Sequence, residues 1–210
     1  MASVSDIPDI VIGRLPIYLR ALTQLSQQGH EITSSHELGQ RLGISSAQIR
    51  KDLSHFGEFG KQGTGYQISH LQAQLKQILQ VDREWPMVVV GAGDLGRAIA
   101  HYGGFVERGF RVVGIFDSDP NKIGTGNANL KVMDPASLKS VIHDQHVKIA
   151  VIAVPAQFAQ QVCDGLIDAG VHAILNYAPI TLTVPDNVHV QYIDPVTDLQ
   201  RMTYYLESES

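Results

Sequence analysis

Three glycines between two different patterns of apolar residues constrain the fold of this chain more than any other feature. Gly91, Gly93 and Gly96 follow the apolar run MVVV and precede a helical pattern. In a strand-turn-helix unit, glycines in this spacing allow a tight turn, close approach of a pyrophosphate and packing of the helix on the strand. The N–H groups at the start of the helix would face the phosphates. The sequence therefore predicts a dinucleotide site formed by Gly91, Ala92, Gly93, Asp94, Leu95 and Gly96.

A carboxylate stands where such a site needs one. The next apolar run, RVVGIF, ends at Asp117, 21 residues after Gly96, which is the expected place for a group that binds the adenosine ribose. No arginine adjoins it to receive a 2′-phosphate, so the sequence favours NAD over NADP. Asp94 would repel a pyrophosphate, and we expect its side chain to point outward. The alternative is a glycine-rich turn without a ligand, with Asp117 as a loop cap.

The second part of the chain alternates apolar runs with helical stretches. The runs MVVV, RVVGIF, KIAVIAV and HAILNY are continuous, without the polar residue at every second position that a half-exposed strand shows. Continuous runs are typical of parallel strands that are buried on both faces of a sheet. The pattern predicts a parallel sheet covered by helices.

The first part of the chain predicts a winged helix. An amphipathic segment, LPIYLRALTQLSQQG, precedes two short helices that meet at Gly43, and Pro16 is expected near the start of the first helix or at a kink. Ser34 with Glu37 and Ser45 with Gln48 have the spacing of capping boxes. Two short helices joined by a turn that contains glycine are a helix-turn-helix candidate. The following segment, GKQGTGYQI, predicts a glycine-rich hairpin.

The second of these helices has the two faces of a DNA-reading helix. Ile49, Leu53 and Phe56 form its apolar face, and polar residues on the other side would contact base edges and phosphates. The alternative is a solvated polar face on a packing helix. The predicted DNA-contacting residues are Ser46, Ala47, Gln48, Arg50, Lys51 and Ser54, with Lys61 in the hairpin.

Net charge differs between the same two parts of the chain as the patterns of apolar residues do. Residues 1–80 carry 7 Lys/Arg and 6 Asp/Glu, a net of +1, whereas residues 81–210 carry 9 and 15, a net of −6. The acidity of the whole chain, −5, therefore lies outside the predicted DNA-reading part. We predict a winged-helix domain over 1–80, a nucleotide-binding domain over 81–192 and a C-terminal helix over 193–210.

Several classes of protein are disfavoured by the sequence. The single cysteine, Cys163, excludes a disulfide framework, and its helical pattern predicts a buried apolar role. The nine histidines show no metal-binding spacing. Only a short tail follows the nucleotide-binding part, too little for a substrate domain, so we predict no catalytic residues and no enzyme. No apolar run is long enough to span a membrane and no signal peptide is visible, so we expect a cytoplasmic protein.

With both parts placed, the chain resembles Rex, the family of bacterial redox-sensing transcriptional repressors. The resemblance runs through RLPIYLRAL, SSHELGQRLG, QIRKDLSHFGEFGKQGTGY, VGAGDLG, FDSDPNKIG and ILNYAP to the terminal helix. It implies an α/β fold class with an N-terminal winged-helix domain, a Rossmann-type parallel-sheet domain and a C-terminal helix exchanged between subunits. It also implies a homodimer that binds a palindromic operator in double-stranded DNA, binds NADH or NAD, and leaves the DNA when NADH binds.

The resemblance assigns further residues by position. The nicotinamide neighbourhood would include Pro155, Asn176, Ala178 and Pro179, and three residues would relay the signal: Arg20, Tyr102 and Asp194. Asp94 departs from the family, whose members often have asparagine there. The exchanged helix would be PVTDLQRMTYYL, whose apolar stripe comprises Val196, Leu199, Met202 and Leu206. The alternative is that this helix packs on its own domain.

Two other functions fit parts of the sequence. A small NAD-dependent oxidoreductase could use the first helices for dimerisation alone. A DNA-binding regulator could instead sense an acyl or adenine nucleotide. Of the three, the redox-sensing repressor is the preferred interpretation.

Overall fold

The computed structural model describes residues 7–60, 64–127 and 129–207. The chain divides into two compact units, Met1–Arg83 and Glu84–Ser210. Their boundary falls inside the segment VDREWP, whose last two residues, Trp85 and Pro86, already belong to a strand.

In its described residues, the first unit has four helices and a two-stranded antiparallel sheet. Its apolar core is formed by leucines of the first and last helices together with Leu38, Ile49 and Leu53 from the middle two. β1 (Ile32–Thr33) pairs with β2 (Tyr66–Gln67). The described part of the predicted hairpin, which contains β2, is therefore paired with a strand that comes much earlier in the chain. The elements are α1 Asp9–Gln27, β1 Ile32–Thr33, α2 Ser35–Leu42, α3 Ser46–Ser54, β2 Tyr66–Gln67 and α4 Ile68–Ile78.

Helix α1 begins earlier than the position of its proline indicates. Pro16 lies inside the helix, not at its start. Its ring is exposed, whereas the neighbouring Leu15 and Tyr18 are buried in the core. Tertiary packing of the apolar face outweighs the local cost of the proline.

The described residues of the second unit form a six-stranded sheet, with helices in three of the connections between strands and one helix after the last strand. The strands are β3 Trp85–Val90, β4 Phe110–Phe116, β5 Val132–Met133, β6 Ile149–Ile152, β7 Ala173–Asn176 and β8 His189–Tyr192. The helices are α5 Asp94–Ala100, α6 Leu138–Asp144, α7 Ala156–Asp168 and α8 Pro195–Glu207, with short 3₁₀ helices at Gly103–Arg108 and Pro135–Ser137.

The sheet order is β5-β4-β3-β6-β7-β8 and every pairing is parallel. Consecutive residues Val88 and Val89 of β3 pack into different apolar clusters, one on each face of the sheet. This confirms the Rossmann-type parallel sheet that the continuous apolar runs predict. The chain reverses its direction of travel across the sheet between β3 and β6. In open sheets of this kind, ligands bind beyond the carboxyl ends of the strands at such a point.

Two observations concern the described residues as a whole. None of their helices is long and apolar enough to cross a membrane, and none of their His, Cys, Asp and Glu residues cluster in threes or more in a way that could hold a metal ion. Cys163 is fully buried in the core of the second unit. Burial raises the pKa of its thiol, and the negative charge of the nearby Asp164 raises it further.

Candidate DNA-reading helix and nucleotide site

Side-chain caps and one glycine set the turn between α2 and α3. The Oγ atom of Ser34 accepts a hydrogen bond from the N–H of Glu37 at 3.1 Å, and that of Ser45 from the N–H of Gln48 at 3.2 Å. Gly43 ends α2 in the left-handed conformation, at φ +66°. Helix α2 therefore begins and ends, and α3 begins, where the caps in the sequence predict.

Helix α3 has the two faces that its sequence predicts. Ile49 and Leu53 are buried in the core of the first unit. Among the predicted DNA-contacting residues, Ser46 and Gln48 are half-buried, and the exposed ones are Ala47, Arg50, Lys51 and Ser54. The guanidinium of Arg50 donates a hydrogen bond to the hydroxyl of Ser35 on α2 at 3.0 Å. Lys61 lies outside the described residues.

A buried carboxylate on α3 was not anticipated from the sequence. Asp52 is 0% exposed and accepts two hydrogen bonds from the guanidinium of Arg14, at 2.6 and 2.7 Å, and one from the hydroxyl of Tyr18 at 2.5 Å. The side-chain amide of Gln48 donates a fourth, at 2.7 Å. Burial acts to raise the pKa of Asp52, but the bonds from Arg14, Tyr18 and Gln48 outweigh it and hold that pKa below its ordinary value.

The glycine turn after β3 has the shape that the spacing predicts. Gly91 has φ +104°, and a Cβ atom there would overlap the carbonyl oxygen of Ala153. A Cβ atom on Gly96 would overlap the carbonyl oxygen of Gly91, because α5 packs closely on the turn. At Gly93 a Cβ atom would meet nothing within 4 Å. The middle glycine thus faces open space, which is where a pyrophosphate approaches in this kind of turn.

Asp117 connects the end of β4 to the glycine turn. Its Oδ2 accepts hydrogen bonds from the N–H of Ala92 at 2.7 Å and from the ammonium of Lys122 at 3.0 Å, and its Oδ1 accepts one from the N–H of Asp119 at 2.9 Å. Burial acts to raise the pKa of Asp117, but the bonds from Asp119, Lys122 and Ala92 hold it below its ordinary value. The sequence reasoning missed Lys122, a cation beside the predicted ribose-binding carboxylate.

The start of α5 is exposed and is held by an arginine. Asp94 and Leu95 are both exposed. The guanidinium of Arg97 donates to the carbonyl of Ala92 at 3.1 Å and to the hydroxyl of Thr125 at 2.8 Å. Arg97 therefore supports the glycine turn from the helix that follows it.

The loops after β6 and β7 end at the same edge of the sheet as the glycine turn. Pro155 is exposed at the start of α7. Asn176, 1% exposed, donates to the carbonyls of Ala178 and Ile180 at 3.0 Å each, and its side-chain oxygen accepts from the N–H of Ala178 at 2.9 Å. The amide of Asn176 thus shapes the loop, while Pro179 lies exposed on it.

The three predicted signal-relay residues lie on different elements. Arg20 is exposed on α1 in the first unit. In the second unit, Tyr102 is 50% exposed and packs edge-on against Phe105. Asp194 caps α8 by accepting from the N–H of Val196 at 3.0 Å and from the hydroxyl of Thr197 at 3.1 Å.

A comparison with known proteins identifies the family. The redox-sensing transcriptional repressor Rex of Roseiflexus sp. (strain RS-1) is 53% identical over 206 residues, which cover 98% of this chain and 94% of that protein. The chain belongs to the Rex family of redox-sensing transcriptional repressors.

Solved structures agree with the Rex assignment. The crystal structure of RSP in complex with β-NAD+ and operator DNA has a TM-score of 0.91 at 37% identity, covering 97% of this chain and 94% of that one. RSP in complex with β-NADH has a TM-score of 0.88 at 35% identity, covering 97% and 96%. A further crystal structure of RSP is described as that of a Rex-family repressor.

Two family models match separate parts of this Rex chain, close to its two compact units. The model "Putative DNA-binding protein N-terminus" matches residues 6–54, and the model "CoA binding domain" matches residues 82–180. The first ends at the last residue of α3, and the second contains the glycine turn and Asp117. The two predicted activities of this Rex protein thus lie on separate parts of the chain.

Proposed function

We propose that this protein is a repressor that binds a palindromic operator as a homodimer and leaves it when NADH binds. One observation carries the proposal: the same chain has a glycine turn with open space at Gly93 and a carboxylate at Asp117, and a helix-turn-helix whose second helix has an exposed polar face. The RSP structures with β-NAD+ and operator DNA and with β-NADH support both halves of it.

The residues of the second unit fit NAD(H). Gly93 would leave room for the pyrophosphate, the N–H groups at the start of α5 would bind it, and Asp117 would accept from the ribose hydroxyls. Three of the roughly four acceptor sites of the ionised Asp117 carboxylate are used within the protein, so about one remains for the ribose. Bound nicotinamide would supply a ring whose charge differs by one between its oxidised and reduced forms.

The loops after β6 and β7 would discriminate between the two forms. Asn176 holds its loop through three hydrogen bonds, and together with Pro155, Ala178 and Pro179 this loop region would surround the nicotinamide. Burying a cation without a partner costs free energy, so a largely apolar pocket favours the neutral, reduced ring. A ligand can shift a two-state equilibrium only as far as it prefers one state.

Helix α8 supports the homodimer. Its stripe of Val196, Leu199, Met202 and Leu206 is 57% to 73% exposed, so the helix does not bury this stripe on its own unit. We propose that residues 193–210 form the dimerisation segment that the family resemblance implies, and that the helix packs on a second copy of the chain.

Asp194 would connect nucleotide binding to DNA binding. In the proposed switch its carboxylate contacts Arg20 in one state of the dimer and Tyr102 in the other. The two bonds by which Asp194 caps α8 leave acceptor sites on the carboxylate for such a contact. We also propose that the protein acts in the cytoplasm, and that it is a regulator without enzymatic activity, as its membership of a repressor family supports.

The test is to select a duplex from a randomised palindromic pool and to titrate the bound complex with NADH, NAD+, NADPH and coenzyme A. Release by NADH at concentrations where the other three have little effect is expected. Release by coenzyme A would instead assign the adenine-nucleotide sensor that the CoA-binding match suggests. Failure to select any duplex would contradict the DNA-binding proposal.

A further inference from the structure

The buried carboxylate of α3 is bonded on two sides. From α1, Arg14 and Tyr18 donate three hydrogen bonds to Asp52. From its own helix, one turn earlier, the Nε2 of Gln48 donates to the Oδ1 of Asp52 at 2.7 Å. Gln48 as a whole residue is half-buried, and its amide nitrogen bonds to the buried Asp52.

The charge of Asp52 determines which end of the Gln48 amide faces it. An ionised carboxylate accepts hydrogen bonds and donates none. Only the NH₂ end of the amide can therefore face Asp52, and the Oε1 atom points away from it. One N–H of the NH₂ group also remains for another partner. An amide oxygen and one N–H are the pair with which a glutamine binds the N6 and N7 edge of adenine in the major groove.

The position of Gln48 is that of a base-reading residue. It is the third residue of α3, and its backbone N–H is held by the cap at Ser45. The N-terminal residues of a recognition helix are the ones that contact base edges. A side chain that is already ordered in the free protein loses less conformational entropy when it binds.

A purely structural reason for Asp52 is weak. The position is three residues after Ile49 and lies in the core of the unit, where an apolar residue would be expected. Replacing a buried ion pair by apolar residues of similar volume is often neutral or stabilising. Stability alone therefore does not require a carboxylate at this place.

We propose that Asp52 is a positioning residue that fixes the Gln48 amide, with its oxygen outward, before DNA is bound. The inference rests on the proposed function, because reading a base edge is the role given to Gln48. Arg14 and Tyr18 hold the carboxylate against α1, and the carboxylate holds the amide. Asp52 thereby sets the sequence preference of the protein without contacting DNA.

The first test uses the wild-type protein without DNA. Order parameters of side-chain NH₂ groups are measured by NMR for Gln48 and for Gln40, an exposed glutamine of α2 in the same unit. We expect a value close to that of rigid backbone, about 0.85, for Gln48 and a value below about 0.6 for Gln40. Equal mobility of the two side chains would overturn the proposal, and no variant has to fold for this result.

The second test measures sequence preference. The ratio of Kd for a scrambled duplex to Kd for the duplex that the wild-type protein selects is determined for Asp52→Asn, Gln48→Ala and the double variant. Each single change is expected to lower the ratio about tenfold, and the double variant to lower it no further. Gln72→Ala is the control, since it removes a hydrogen bond between α4 and Thr23 of α1 and leaves α3 unchanged.

The outcomes separate this inference from the proposed function. An unchanged ratio in a folded Asp52→Asn variant, or fully additive effects of the two changes, would overturn the role of Asp52 while leaving the repressor proposal intact. If the wild-type protein selects no duplex at all, the proposed function itself fails. If Asp52→Asn lowers the ratio of the two Kd values by the same factor as Gln72→Ala, the effect is a general one of weakened helix packing. That result would also overturn the inference.

Discussion

At the scale of single residues, Asp117 has two connected roles. It ties the end of β4 to the glycine turn through the N–H of Ala92, and it is the proposed acceptor for ribose hydroxyls. Asp117→Ala removes both, and hydrogen bonds to charged groups contribute about 1.5–3 kcal/mol. We expect NADH affinity to fall about 10- to 100-fold, measured by calorimetric titration. Asp144→Asn, at the end of α6, is the matched control; equal losses in both variants would contradict the assignment.

Asp52 makes a prediction about acid stability. Because its pKa is lowered in the folded protein, its contribution to the free energy of unfolding is fully present above the unfolded pKa, about 3.9. It is lost as the pH falls through the lower, folded value. Asp52→Asn should cost about 2–3 kcal/mol at pH 7, near the lower end for a buried pair since Arg14 is 19% exposed. Urea unfolding followed by NMR signals of α1 and α3 should show this difference shrinking below pH 4; a difference independent of pH would contradict it.

The contacts that the sequence did not predict depend on the folded backbone. Asp52 bonds to Arg14 and Tyr18, which lie 38 and 34 residues earlier. Lys122 is near Asp117 in sequence, but the fold of its loop brings the two charges together. Asn176 was expected near the nicotinamide, and its engagement with its own loop follows from backbone geometry that composition does not encode. The helix faces, by contrast, follow from local periodicity and were predicted correctly.

At the scale of elements, two substitutions in the glycine turn should have different effects, one on NADH binding and the other on stability. Gly93→Ala should leave the melting temperature near that of the wild type, because the site is open and its φ of −74° suits alanine. It should still weaken NADH binding at least about tenfold by blocking the phosphates. Gly96→Ala should lower stability by about 1–3 kcal/mol through overpacking of α5 on the turn. Thermal unfolding and NADH titration of both variants test the pair; equal stability losses would contradict it.

The same scale shows which elements a sequence reveals. The four continuous apolar runs correspond to β3, β4, β6 and β7, the central strands of the sheet. β5 has two residues and β8 is mostly exposed, so neither carries an apolar run strong enough to mark it. The sequence does not reveal the early start of α1, because Pro16 locally disfavours a helix interior. The buried apolar residues before and after Pro16 nevertheless continue one helix face.

At the scale of the whole molecule, the proposed homodimer depends on α8. Leu199→Glu places a charge in the exposed apolar stripe and should convert a dimer to a monomer, as followed by sedimentation. Arg201→Glu, on the opposite side of the helix, is the matched control and should remain dimeric. Operator affinity should fall with the dimer, since half-site spacing requires two recognition helices. A dimer that persists in the Leu199→Glu variant would contradict the proposed role of α8.

The most direct measurement of the central claim holds total nucleotide constant and varies only the ratio of NADH to NAD+, while occupancy of the selected operator is recorded. We expect occupancy to fall as the NADH fraction rises, with the fall abolished in Asp117→Ala because this variant no longer binds NADH tightly. Occupancy that is independent of the ratio in the wild-type protein would show that the second unit does not control DNA binding by redox state.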